Sequence, residues 1–212
     1  MKRSPSIAGP AGGADPPGAV RDRLDRCQAE LVRVRRSLEA AEAAAGRLAA
    51  EHAVLDERCT VLTRLFVAAS ALQEAGDEPS ALRALGEVMV NLAGAREFGV
   101  FEGEEGAELE LVHSAGIDAQ SHARLRPAGE AARALETGES WRADSPHPGF
   151  PGGEPVACIP LRVGASVTGV IVVWSFLPQK LAFGAFDLEL FALLVNRAGP
   201  ALRAARLLEA CT

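Results

Sequence analysis

His147 stands between Pro146 and Pro148, with Asp144 just before. These are the residue types of general acid–base chemistry, an imidazole that exchanges a proton and a carboxylate able to orient it. A hydrolase would add a nucleophile on a sharp strand-to-helix turn, and a nucleotide enzyme a glycine loop that cradles phosphate; the sequence has neither pattern. The flanking prolines suit a surface loop, so no residue is assigned a catalytic role and the chain is read as a non-enzyme. Cys27, Cys59, Cys158 and Cys211 lie far apart, without a Cys-x-x-Cys spacing or a nearby His to complete a zinc site. No metal and no cofactor are expected. A chain of 212 residues buries a core of its own, so a disulfide framework is not expected either. Glu97, Glu102, Glu104, Glu105, Glu108 and Glu110 form an acidic run that suits either a solvated hairpin tip or a basic partner.

Composition narrows the partners. With 22 Lys plus Arg against 28 Asp plus Glu, the net charge is −6, which argues against coating nucleic acid or an anionic membrane. The longest apolar run, Val167 to Leu177, falls short of the roughly 20 residues that span a bilayer as a helix. Met1, Lys2 and Arg3 resemble the start of a signal peptide, but Pro5, Gly9, Pro10, Gly12 and Gly13 interrupt any apolar helix behind them. The expectation is a cytoplasmic protein that is not exported.

The elements around these residues follow from the hydrophobic pattern. Residues 1–19, rich in Ala, Gly and Pro, lack an apolar period and read as a disordered tail. From Leu24, apolar residues recur at alternating steps of three and four through Cys27, Leu31, Val34, Leu38, Ala41, Ala45, Leu48, His52, Leu55, Cys59, Leu62, Phe66 and Ala69. A spacing averaging 3.5 keeps one seam facing a partner helix, which a lone helix at 3.6 does not require. Residues 20–58 are therefore read as a parallel dimeric coiled coil and residues 59–212 as the domain it feeds. Leu24, Leu31, Val34, Leu38, Leu48, His52, Leu55, Leu62 and Phe66 are the expected dimerisation residues. In that arrangement Glu30 attracts the partner's Arg35, whereas Glu51 meets the partner's Asp56 with like charge. Ala41 and Ala45 thin the seam. His52 at an a position either marks the register or, protonated near its ordinary pKa of about 6.5, repels its mate.

Beyond the seam, helix is expected to about Glu74, a stop at Gly76, and a second helix from Asp77, with Pro79 and Ser80 in its first turn, to about Gly94. Phe98 to Glu102 and Glu108 to Ser114 read as a hairpin, with Leu109, Leu111 and His113 on one face. Residues 120–137 are mixed, and 145–155 form a Pro/Gly-rich loop. Val156 to Val163 and Val167 to Leu177 are apolar, β-branched central strands. Helical spacing returns from Phe186 to about Ala210.

The stretch Cys158-Ile-Pro-Leu-Arg-Val-Gly-Ala-Ser-Val-Thr-Gly-Val-Ile-Val-Val173, with Leu82 to Phe101 before it and Phe183 to Leu194 after it, resembles the GAF domain family. The resemblance covers roughly Cys59 to Glu209. It implies an α/β (α+β) fold, a central antiparallel sheet flanked by helices, whose first and last helices commonly dimerise and whose other face is the expected place for a ligand. Cyclic-nucleotide-binding members carry Asn-Lys, then Phe, three residues and Asp-Glu; here Gln179 and Leu188 depart from that motif around Lys180, Phe183 and Asp187. Bilin-binding members use a Cys beside a His, and the family's free methionine sulfoxide reductases use several converging cysteines; neither arrangement is present in the sequence. His113, Trp141, Arg142, Phe150 and Trp174 are the candidate ligand residues, since each interrupts an aliphatic lining. The resulting expectation is a homodimeric regulatory protein that senses a small ligand or signals to a separate partner protein. The rival is a ligand-free scaffold or adaptor.

Overall fold

The computed structural model describes residues 17–103, 107–147 and 153–210. Helix α1 (Pro17–Gln73) opens inside the stretch read as tail, because proline suits a first helical position, where its missing N–H has no partner. The chain divides into two units between Glu57 and Arg58. In the first, none of the residues 18–57 is buried, and Leu24, Leu31, Val34, Leu38, Leu48 and Leu55 are exposed.

In the second unit α1 carries two stripes. Leu65, Ala68 and Leu72 enter the domain core, whereas Leu62 and Phe66 are exposed, Phe66 by 72%. At 3.6 residues per turn the two stripes lie about 110° apart around the helix, so docking one leaves the other open. Asp77 ends the break after α1: its carboxylate accepts the Ser80 N–H at 2.7 Å and starts α2 (Glu78–Glu87). Hydrogen bonding from the Ser80 side chain, and next from its backbone N–H, holds the Asp77 carboxyl below its ordinary range. A π-helical turn, Val88–Ala93, continues α2 and closes at Gly94 in the left-handed region.

The strands are β1 (Ala95–Glu102), β2 (Leu109–Ala115), β3 (Arg124–Leu125), β4 (Trp141–Arg142), β5 (Ala157–Val163) and β6 (Ser166–Phe176), with α3 (Gly129–Thr137) before β4 and α4 (Ala185–Ala210) last. They form one antiparallel sheet in the order β3-β2-β1-β6-β5-β4. The near-continuous apolar run of β6 follows from its central place, buried on both faces. On one face, Phe98, Val100, Ile159, Leu161, Ile171 and Val173 pack with α2, α4 and the end of α1. On the other, Phe101, Cys158, Val170 and Val172 pack with Ala131 and Ala134 of α3. Gly199 sets the closeness of α4 to β5, since a Cβ there would stand 2.6 Å from the Arg162 carbonyl oxygen.

The hairpin departs from its expected alternation. Val100 faces His113 but Phe101 faces Leu111, so Val112 is an extra residue in β2. This β-bulge flips the pleat: Leu109 and Leu111 stay on the α3 face and His113 moves to the helical-layer face.

Candidate functional site

Two of the five candidate residues share the α3 face. Trp141 pairs with Cys158, which pairs with Val172, so the three form a cross-strand row, and Trp174 lies two residues further along β6. Trp174 meets Phe101 edge-on at 6.1 Å between ring centroids and His122 at 5.2 Å. Beneath α3 the Cys158 thiol is buried and pushed up to about 12, chiefly by desolvation and secondarily by the charge of Glu130. A thiol held protonated at neutral pH is neither a good nucleophile nor a metal ligand. Glu130, in the first turn of α3, has a buried Oε2 without a hydrogen-bond partner, and Arg133 approaches it at 3.7 Å.

The open space on this side lies at the sheet end where the β1–β2 and β5–β6 connections meet α3. This cleft encloses about 690 Å³ between Leu109, Pro127, Leu135 and Val167, with Glu136 also lining it. At its rim Arg126 donates to Glu108 at 3.0 Å. The volume falls within the range of small-molecule sites, and the lining suits a compact ligand with an apolar body and a charged group. The sequence did not single out these residues. They come from four separate segments, and the local signals were the apolar alternation of Leu109 and Leu111 and the place of Glu108 in the acidic run.

His113 and Arg142 face the opposite layer. Trp141 and Arg142 are consecutive in a strand and so point to opposite faces; the Arg142 guanidinium lies over the Phe183 ring at 5.2 Å. His113 packs against Gly86 of α2, where a Cβ would collide with the imidazole. It lines a separate cavity of about 430 Å³ with Glu78, Arg83 and Glu209, and burial lowers its pKa. Phe150 lies outside the described residues.

The groups behind the other sequence readings are engaged in holding the fold. Lys180 donates to Asp187 at 2.6 Å, and Asp187 also accepts the Gly184 N–H at 2.9 Å. Asp187 thereby closes the N-terminus of α4 as the acidic half of a capping box, with Lys180 as its counter-ion. Of the acidic run, Glu97 accepts from Ser175, Glu108 pairs with Arg126, Glu110 pairs with Arg124, and Glu102 pairs with Arg206. Arg206 also reaches Glu78 at 2.5 Å, and the two carboxylates raise its already high pKa. Glu104 and Glu105 lie outside the described residues. His147 is exposed, and its backbone N–H donates to Ser145 Oγ at 3.1 Å. No helix among the described residues is long and apolar enough to cross a membrane.

A model of the GAF domain family matches residues 77–204. No curated protein matches the chain. Among solved structures, the GAF domain of a phosphoenolpyruvate-protein phosphotransferase from Coxiella burnetii is 19% identical, with a TM-score of 0.56 over 71% of this chain and 96% of that one. The second GAF domain of DevS from Mycobacterium smegmatis is 22% identical, with a TM-score of 0.51 over 64% of this chain and 100% of that one. A free methionine-R-sulfoxide reductase from Neisseria meningitidis, solved with its substrate, is 20% identical, with a TM-score of 0.53 over 68% of this chain and 88% of that one. At such identities the structural likeness is one of fold. The matched span contains the complete six-stranded sheet with α2, α3 and most of α4, and the chain belongs to the GAF domain family.

Proposed function

We propose that this chain is a non-enzymatic, homodimeric regulatory protein of the cytoplasm, which senses a small ligand at the α3 cleft and relays the signal to a separate partner protein. One observation carries the dimer: α1 docks on its own domain through Leu65, Ala68 and Leu72 while leaving Leu62 and Phe66 uncovered. Exposed apolar residues at heptad spacing are stabilised by a second copy of the same seam. The non-enzymatic reading is supported by Cys158, the core thiol, being buried and protonated, unsuited to the redox chemistry of the reductase with the similar fold.

The relay follows from packing. The sheet has α3 and its cleft on one face and the end of α1 on the other. A ligand that shifts the strands under α3 also shifts the surface on which Leu65, Ala68 and Leu72 sit, because packed layers move as bodies rather than deform continuously. A second reading, a ligand-free scaffold, is favoured by the filling of the α3 face by Phe101, Cys158, Val170 and Val172.

Native mass spectrometry of the purified chain separates these readings. A dimer retaining a small molecule, lost on substituting Arg126→Ala in the cleft, supports the sensor. A dimer with an empty cleft supports the scaffold, and a monomer at micromolar concentration overturns both.

A further inference from the structure

The uncovered seam of α1 carries a size pattern with a direction. Its bulky Phe66 and His52 and its smaller Cys27, Ala41 and Ala45 lie on opposite sides of the middle, and Ala69 lies at the end opposite Leu24. A parallel, in-register pair stacks each residue on its own copy. Ala41 and Ala45 then leave two consecutive thin layers, His52 meets His52, and Phe66 meets Phe66. Reversing one helix about the middle sets Ala41 against the partner's His52, Ala45 against Leu48, Cys27 against Phe66 and Leu24 against Ala69. The other layers become Leu31 with Leu62, Val34 with Cys59 and Leu38 with Leu55. Large now faces small in the four uneven layers, the interdigitation that fills a core without voids.

The flanking charges agree. Parallel pairing sets an attraction of Glu30 for the partner's Arg35 against a like-charge contact of Glu51 with the partner's Asp56, each made twice by symmetry. In the reversed pair, e positions flank e positions and g positions flank g positions. Arg35 then meets the partner's Asp56, and Glu51 meets Ala44. Within one chain Arg35 reaches Glu39 at 3.2 Å and His52 reaches Asp56 at 3.0 Å, and all four side chains are strongly exposed.

We infer that the second copy lies antiparallel on α1, in the register that places Val34 against the partner's Cys59. This deepens the homodimer proposed above and rests on it. The test uses the full chain with Val34→Cys and Cys211→Ser, equilibrated with oxidised and reduced glutathione. The sulfur at position 34 and that of the partner's Cys59 form one disulfide, and one oxidised glutathione is reduced to two thiols. Both native seam cysteines, Cys27 and Cys59, are free and exposed, which supplies the control. In the reversed register two Cys59 residues stand roughly 37 Å apart along the axis, far beyond disulfide reach.

The expected result is a covalent dimer in the variant, with a peptide joining position 34 to Cys59, and none in the Cys211→Ser chain alone. Cys59 joined to Cys59, or Cys27 to Cys27, shows a parallel pair and overturns the inference while sparing the dimer. Cys27 joined to Cys59 shows a reversed pair shifted by one heptad and overturns the register. A dimer by native mass spectrometry with no cross-link also overturns it. A monomer there removes the dimer itself.

Discussion

The two units of the chain put the same residue types to different use. Residues 18–57 hold leucines and valines, most of them on the three-four spacing, and bury none of them, whereas residues 58–210 bury leucines and valines on both faces of a sheet. Leucine and valine serve in both units, and what differs is what covers them. The domain has layers of its own to cover each face, and the first unit has a single helix, whose apolar residues no layer of the described chain covers. The end of α1 shows both situations side by side, with Leu65, Ala68 and Leu72 covered by the domain and Leu62 and Phe66 not.

If the domain holds itself together independently of the seam, damage inside it should be large and damage to the seam should leave it intact. The greatest effect is expected from Asp187→Ala. It strands the Lys180 ammonium, whose side chain is 14% exposed, and removes the closure of α4. Breaking a buried pair on one side costs about 3–5 kcal/mol, to be read as a lower midpoint in urea. A loss under about 1 kcal/mol would mean that Lys180 finds water or another partner and that the clasp is not structural.

A smaller effect is expected from His113. Burial lowers its pKa below the ordinary 6.5 in the folded state, so as pH falls the unfolded chain takes up the proton first. The stability is therefore present above pH 6.5 and is lost as pH falls through and below that value. Glu78, Arg83 and Glu209 line the same cavity. Thermal unfolding followed from pH 7.5 to about 5 should fall more steeply for the natural chain than for His113→Leu. Parallel curves would place the acid sensitivity elsewhere.

The smallest effect on the domain is expected from Leu38→Glu. It places charge in the middle of the seam and should abolish the dimer by native mass spectrometry, while the domain's unfolding midpoint changes by no more than about 0.5 kcal/mol. A midpoint that drops with the dimer would show that the domain leans on the seam and that the two units are not independent.

Much of the fold was legible because its signals are local. Asp77 with Ser80 and Pro79 marked the start of α2, Gly94 the end of the π-helical turn that continues it, and the near-continuous apolar run before Leu177 marked a strand buried on both faces. The site was less legible. Trp141 and Arg142 were grouped by chemical type, yet neighbours in a strand face opposite ways, and one extra residue, Val112, turned His113 away from Leu109 and Leu111. A bulge leaves no mark in hydrophobic alternation when the residue inserted is itself apolar. The acidic run looked like a charged surface until its described glutamates were seen beside Arg124, Arg126, Arg206 and Ser175, residues from 14 to 104 positions away in the chain in the cases of Glu110 and Glu102.

Sequence alone determined the periods: 3.5 for the seam, 2 for the strands, and the caps and breaks between them, because these depend on neighbours within a few residues. Only tertiary structure decided which side chains share a face, which charges are spent on one another, and that the α1 stripe beginning at Leu62 stays uncovered while its neighbour docks. Those outcomes depend on contacts between distant segments, where a single bulge or a rotation of about 110° around a helix changes the partner of every residue concerned.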